Sequence, residues 1–224
     1  MKRVLILVEG PTEERFVKEL LQPHLWNFGV HLEPKIVTTK RTKDGTQFKG
    51  GNAFSKVEGD LRRLLGDKNA ALVTTMLDYY GLPDDFPGKQ VLKGPTAAGK
   101  AQKIERALEK HLDAGKRFVG FLMLHEFEAI LFVGPTELAK AMNSEPQAAA
   151  IQKVRDSFKT VEEINDDPET APSKRVLKMF PDYRKRLFGP IIAKRIGLAT
   201  IRQACPHFNE WLTKLESIGA PSAF

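Results

Sequence analysis

Three apolar runs punctuate the first 130 residues, and each is closed by an acid. Val4 to Val8 is unbroken and rich in aliphatic and β-branched residues, too short for a free-standing helix, and reads as a strand buried on both faces. Ala70 to Leu77 is a second such run and Phe118 to Leu124 a third. Glu9 ends the first, Asp78 the second, and His125-Glu126-Phe127-Glu128 the third. Between the runs the apolar spacing changes to that of helices: Phe16, Val17, Leu20, Leu21 and Leu25 form one stripe, Phe54, Val57, Leu61, Leu64 and Leu65 a second, Ile104 and Leu108 part of a third. Gly10 permits a sharp turn and Pro11 suits a first helical position, so a helix is predicted from Pro11, broken or restarted at Pro23. Thr96 is the predicted N-cap of a helix through His111. Val30 to Thr38 alternates as a strand, which Pro34 pushes to a sheet edge because it cannot donate to the ladder.

Strands separated by helices predict an α/β fold with a mainly parallel sheet. Beyond Phe127 the pattern is helical, interrupted at Gly134-Pro135, Pro146, Pro168, Pro172, Pro181, Gly189-Pro190 and Pro206. The expected organisation is an α/β part over 1–133 and a helical part over 134–224 that packs on it. In open parallel sheets ligands bind beyond the carboxyl ends of the strands. That is where Glu9, Asp78 and the Glu126/Glu128 pair fall, with Glu13 and Glu14 one helical turn above Glu9.

Composition narrows the classes. The 224 residues are 42% hydrophobic and 28% charged, a globular balance. No apolar run approaches the ~20 residues a membrane span requires. Met-Lys-Arg leads directly into the first strand without a signal-peptide pattern, so a cytoplasmic protein is expected. The single cysteine, Cys205, has no partner for an internal disulfide or a cysteine zinc site. Of the net charge of +7, the segment Ala171 to Ala204 supplies +8, with nine basic residues against Asp182, and the remainder stands near −1. Lys174, Arg175, Lys178, Arg184 and Lys185 in that segment, and Lys40, Arg41, Lys43 and Lys49 in a glycine-rich stretch over 39–52, are candidate contacts for a phosphate backbone. A solvated helix face is the alternative for such a run.

Gly94-Pro-Thr-Ala-Ala-Gly99-Lys100 has the glycine and lysine spacing of a phosphate-binding loop, but Ala101 follows where a hydroxyl is needed for magnesium, and no buried strand precedes it. It reads as a turn and helix cap. The acids carry the chemistry instead. Hard oxygen ligands at one sheet edge suit Mg²⁺ or Mn²⁺, which polarise phosphoryl oxygens and activate water. Singly, each acid has a plain explanation in helix-dipole stabilisation or strand-end solvation; three buried strands all ending in one is the stronger observation.

Val8-Glu-Gly-Pro-Thr-Glu-Glu14 and Leu77-Asp-Tyr-Tyr80 resemble the Toprim fold as found in nucleases of the OLD (overcoming-lysogenization-defect) type. Together with Asp78-Tyr-Tyr-Gly-Leu-Pro83, His125-Glu-Phe-Glu-Ala129, Pro172-Ser-Lys-Arg175 and Cys205-Pro-His-Phe-Asn-Glu-Trp-Leu212, they resemble, over nearly the whole chain, a small stand-alone Toprim-like family often encoded beside an AAA-type ATPase in bacterial defence clusters. The resemblance implies a Toprim-like, Rossmann-like fold and a Mg²⁺- or Mn²⁺-dependent nuclease acting on DNA sooner than RNA, with a partner ATPase. Glu9 would be general acid/base and metal ligand, Glu13 the second acid, and Asp78 the first acid of an Asp-x-Asp motif whose second position is here Tyr80. His125, Glu126 and Glu128 are candidates to make up that deficit. With 126–131 helical and its core stripe on Phe127 and Leu131, Glu126 and Glu128 fall on opposite flanks, about 100° to either side, so that one of them reaches the metals. Glu126, nearer the strand end, is the expected one. Two other readings remain open: a non-catalytic or latent partner subunit of an ATPase complex, and a phosphohydrolase of nucleotides, which would need a closed pocket.

Overall fold

The computed structural model describes residues 1–38, 54–91, 96–124, 126–164 and 170–219. The glycine-rich stretch with Lys40, Arg41, Lys43 and Lys49, and His125, lie outside the described residues. Five strands, β1 (Lys2–Val8), β2 (Val30–Ile36), β3 (Leu72–Asp78), β4 (Phe118–Val119) and β5 (Leu122–Met123), form a parallel sheet in the order β2-β1-β3-β4, with β5 also pairing β3. The chain is mixed α/β, with helices on both faces of a mainly parallel sheet and a helical C-terminal part.

β1 shows why an unbroken apolar run lies at the centre. Val4, Ile6 and Val8 enter one core and Leu5 and Leu7 the other, so both sets are removed from water. The second core is closed by α3 (Phe54–Leu65) and α4 (Ala97–Leu112), whose Leu61, Leu64, Ile104 and Leu108 face the sheet. Thr96 caps α4, its hydroxyl accepting the Gly99 N–H at 3.1 Å. The first core is larger. It takes in α1 (Pro11–Phe16), a π-helical turn (Val17–Leu21) and α2 (Gln22–Trp26), and it continues without interruption into the C-terminal helices. Pro23 lies in the first turn of α2, where α-helical winding restarts after the π turn and a missing N–H is tolerated. Pro34 sits on β2, an edge strand, as its lack of a donor requires.

The third apolar run is not one strand. It is interrupted at Gly120-Phe121, and threonines of β3 supply the lost pairing. The Thr74 hydroxyl donates to Val119 O at 2.7 Å; the Thr75 hydroxyl donates to Phe121 O at 2.7 Å and accepts the Phe121 N–H at 2.9 Å. On the outer side Glu109 accepts the Gly120 N–H at 3.0 Å and Glu105 the Leu122 N–H at 2.8 Å, so carboxylates of α4 occupy edge donors that would otherwise invite another strand. Thr75→Val keeps the shape and strips both partners from a buried peptide group. It should cost about 2–4 kcal/mol, measured by urea unfolding.

The C-terminal part comprises a 3₁₀ segment (Phe127–Val133), α5 (Pro135–Ala141), α6 (Ala148–Asp156), α7 (Pro172–Met179), α8 (Lys185–Ile196), α9 (Leu198–Ala204) and α10 (Pro206–Gly219). α10 is fixed through its first turns. Glu162 accepts the N–H groups of His207 and Phe208, each at 3.0 Å, satisfying donors that a helix start leaves open. Trp211 stacks on Phe121 at 4.4 Å and donates its indole N–H to Thr74 at 2.9 Å. Cys205 is buried, and no helix among the described residues is long and apolar enough to cross a membrane.

Candidate active site

The carboxyl ends of β1 and β3 lie side by side, which sets the first two acids together. Glu9 Oε2 accepts the backbone N–H of Asp78 at 3.0 Å. Gly81, just past Asp78, is where a side chain would intrude: a Cβ there would stand 3.2 Å from both Glu9 carboxylate oxygens. Pro11 starts α1 immediately beyond Glu9 and turns Glu13 inward, 2% exposed, beside Asp78 at 5%.

The fourth acid is Glu128, with no exposed surface at all. Glu126 is placed differently. It precedes the 3₁₀ segment in extended conformation and its Oε2 accepts the Ser173 N–H at 2.9 Å, at the start of α7. The two acids do not flank one α-helical stripe, because residues 127–133 wind as a 3₁₀ helix with Glu126 outside it; Glu128 is the acid that contacts Lys185, while Glu126 stays near enough for its charge to act on both Glu9 and Glu128. Tyr80 lies half-buried in the turn Tyr79–Gly81, its ring 6.1 Å from that of Tyr79.

Among the described residues, one cation enters this cluster. Lys185, first residue of α8, brings its Nζ to 3.2 Å from Glu128 Oε2, 3.5 Å from Asp78 Oδ2 and 3.7 Å from Glu13 Oε1. It therefore differs from its neighbours in the basic segment: it is turned into the acids, whereas Lys174, Lys178 and Arg184 are exposed. Two local devices carry it there. Pro190 inside α8 cannot donate to Arg186 O, and Arg15 of α1 does so instead at 2.9 Å, tying the two helices. Gly189 removes the side chain at their crossing, where a Cβ would stand 3.0 Å from the Phe127 ring and 3.4 Å from Thr12. Tyr183, also buried, donates to Glu128 Oε1 at 3.4 Å.

Among the described residues, the four carboxylates Glu9, Glu13, Asp78 and Glu128 thus face one ammonium, an excess of three negative charges when all are ionised, to which the Glu126 charge adds from alongside. Burial, with the Glu9 charge adding to it, holds the Asp78 carboxyl well above the usual carboxylate range. Glu9 keeps an exposed edge, but crowding at the strand ends desolvates its carboxyl and raises it against the hydrogen bond from Asp78 N–H; burial raises Glu128 against the attraction of Lys185. Burial disfavours the Lys185 charge, but Asp78, Glu128 and Glu13 outweigh it and its pKa is raised. Acids with raised folded-state values take up protons more readily folded than unfolded, so a penalty on folding grows as pH rises from about 4, the ordinary carboxylate value, through the raised values. In chelator, the melting-temperature difference between Asp78→Asn and the wild type should widen in favour of the variant from pH 5 to pH 8. A difference independent of pH would remove Asp78 from this account.

Three buried oxygens of the cluster, Glu13 Oε1, Asp78 Oδ1 and Glu128 Oε2, have no hydrogen-bond partner. Lys185 lies within ionic range of Glu13 Oε1 and Glu128 Oε2, and on Asp78 it faces Oδ2 instead. Unpaired anionic oxygens in a site with excess negative charge have the donor chemistry of Mg²⁺ or Mn²⁺. Among the described residues, no group of three His, Cys, Asp or Glu is already arranged to hold a metal ion; the acids stand around the lysine.

An α/β protein with acids gathered at the carboxyl ends of a parallel sheet is the class that fold and site define. The chain belongs to the family described as Domain of unknown function (DUF4276), whose model matches residues 8–216. Two solved structures of the C-terminal region of the Xanthomonas campestris pv. campestris OLD protein are similar to it. The one phased with mercury has 15% sequence identity and a TM-score of 0.40, over 96% of this chain and 98% of that one. The one phased with iodine has 18% identity and a TM-score of 0.38, over 96% and 97%. No curated protein matches the chain.

Proposed function

We propose that the protein is a divalent-cation-dependent nuclease that hydrolyses phosphodiester bonds, with DNA the expected substrate. The observation that carries this reading is the convergence of Glu13, Asp78 and Glu128 with three unpaired buried oxygens beside Glu9. Glu13, Asp78 and Glu128 would hold the cation. What such an ion supplies when bound is polarisation of a phosphoryl oxygen and a more acidic water. Glu9, at the outer side of the cluster, has one oxygen engaged by the Asp78 N–H and a raised pKa, which suits it to take a proton from the attacking water and pass it on. Tyr183 orients Glu128. The exposed cations Lys174, Lys178 and Arg184 lie in the segments leading to Lys185 and suit a phosphate backbone.

The test is cleavage of circular DNA, linear DNA and RNA by the full chain with Mg²⁺, Mn²⁺ or chelator. Cation-dependent strand cutting of any of the three supports the reading, and loss of circular DNA gives endonuclease action. A chain that binds the cations and cuts nothing supports the latent-subunit reading, which the ammonium lying among the acids also favours.

A further inference from the structure

We propose that Lys185 is a tethered counter-ion that occupies the acid cluster in place of a divalent ion, so that the site's affinity for that ion is set by competition with the chain's own ammonium. The inference rests on the proposed metal site and concerns what regulates its loading.

Three observations converge on it. The Nζ lies 3.2 to 3.7 Å from oxygens of Glu13, Asp78 and Glu128, three acids that come from three different parts of the chain and share no other cation among the ion pairs of the described residues. Its contacts are chiefly ionic: it faces Asp78 Oδ2 and not the unpaired Oδ1, Glu13 Oε1 at 3.7 Å has no hydrogen bond, and Glu128 Oε2 at 3.2 Å is the nearest to one. It therefore balances the charge of three acids while leaving Glu13 Oε1 and Asp78 Oδ1 unpaired, as a placeholder does. Finally, the acids are not already arranged to enclose an ion, which is expected where a bulkier ammonium on a carbon stem holds them apart. The stem reaches solvent, its side chain retaining 39% of its exposure, so the Nζ has a route outward by rotation about its own side-chain bonds, with α8 held in place by Arg15 and Gly189.

Removing the ammonium should tighten binding of a divalent ion while weakening the ion-free fold, because the acids then repel one another unscreened. Calorimetric titration of Mn²⁺ into the full chain should show Lys185→Met binding on the order of tenfold more tightly than the wild type. Lys185→Arg, which keeps the charge, should stay within about threefold of the wild type. In chelator Lys185→Met should melt below the wild type, and Mn²⁺ should raise its melting temperature by more. If Lys185→Met is unfolded in chelator, its refolding on Mn²⁺ addition, followed by circular dichroism, reads the same competition; a chain that stays unfolded at saturating Mn²⁺ overturns the inference. Equal Mn²⁺ affinity of Lys185→Met and wild type overturns the competition but leaves the proposed metal site standing. Absence of Mn²⁺ binding in both chains overturns the two together.

Discussion

Asp78→Asn should abolish cation-dependent cleavage, with a fall of at least about a thousandfold, and should at the same time make the ion-free chain more stable by about 1–2 kcal/mol. The two effects share one cause. Asp78 is 5% exposed, carries an unpaired Oδ1, and stands among Glu9, Glu13 and Glu128. Its ionised form is costly in a buried site where the Lys185 ammonium is shared with two other acids. The amide is nearly isosteric, removes the charge, and brings N–H donors toward acceptors on Glu13 and Glu128 that now lack them. A site that is stabilised by neutralising one of its members is held for chemistry and not for folding. Cleavage assays at saturating Mn²⁺, with thermal melts in chelator, measure both halves. An Asn variant that cuts normally would dismiss Asp78 as a ligand, and one that melts well below the wild type would mean that Asp78 is a structural acid.

Reversing Lys174, Lys178 and Arg184 to Glu should weaken nucleic-acid binding and flatten its dependence on salt. Each phosphate that the protein no longer neutralises takes about 0.9 unit from the slope of log K against log salt for duplex DNA, so a fall of about 2–3 units is expected. These three are exposed. Arg175, from the same basic run, is left out because its role is internal: its guanidinium lies 5.6 Å over the Phe158 ring and its Nε donates to Thr170 O at 2.7 Å. Reversing it would disturb α7 itself. Filter binding over a salt series gives the slope. An unchanged slope in a folded variant would assign this face to a protein partner or to plain solvation.

The strand ends were legible because a buried strand announces itself by composition alone. Val4 to Val8 has no polar residue, and wherever such a run stops, the next polar side chain lies at the sheet edge; Glu9 and Asp78 follow from that. Glu13 follows from Pro11, which fixes where the helix starts. The rest of the cluster depends on contacts that no local pattern encodes. Glu128 and Glu126 are two residues apart in a segment whose helical period was the wrong one, and only the 3₁₀ winding separates a buried acid from one that accepts from Ser173. Lys185 sits among basic residues of a charge run, and nothing in the run marks it as the inward member. A signal was present two, four and five residues away, in Tyr183, Gly189 and Pro190: a tyrosine and a glycine that pack against the site, and a proline whose helix needs an outside donor. The break at Gly120 was hidden for another reason, since threonine hydroxyls stand in for backbone pairing and leave the run looking continuous.

The indole bond from Trp211 to Thr74 spans 137 positions of sequence, and it has a bearing on synthesis. Contacts between distant positions form late, because the closing of a long loop must precede any reward from it. While the chain is being made from its amino end, β1 and β3 and the acids at their ends are complete well before α8 and α10 have left the ribosome. During that interval the acids have neither Lys185 among them nor the α10 aromatics beneath the β3–β5 junction. The half-made sheet is then a set of mutually repelling carboxylates above an unsealed apolar face, a natural client for a chaperone or for a divalent ion that arrives early. If the acids take a divalent ion as proposed, the order of emergence would make the nascent chain most receptive to it before the lysine appears, and guarded afterwards.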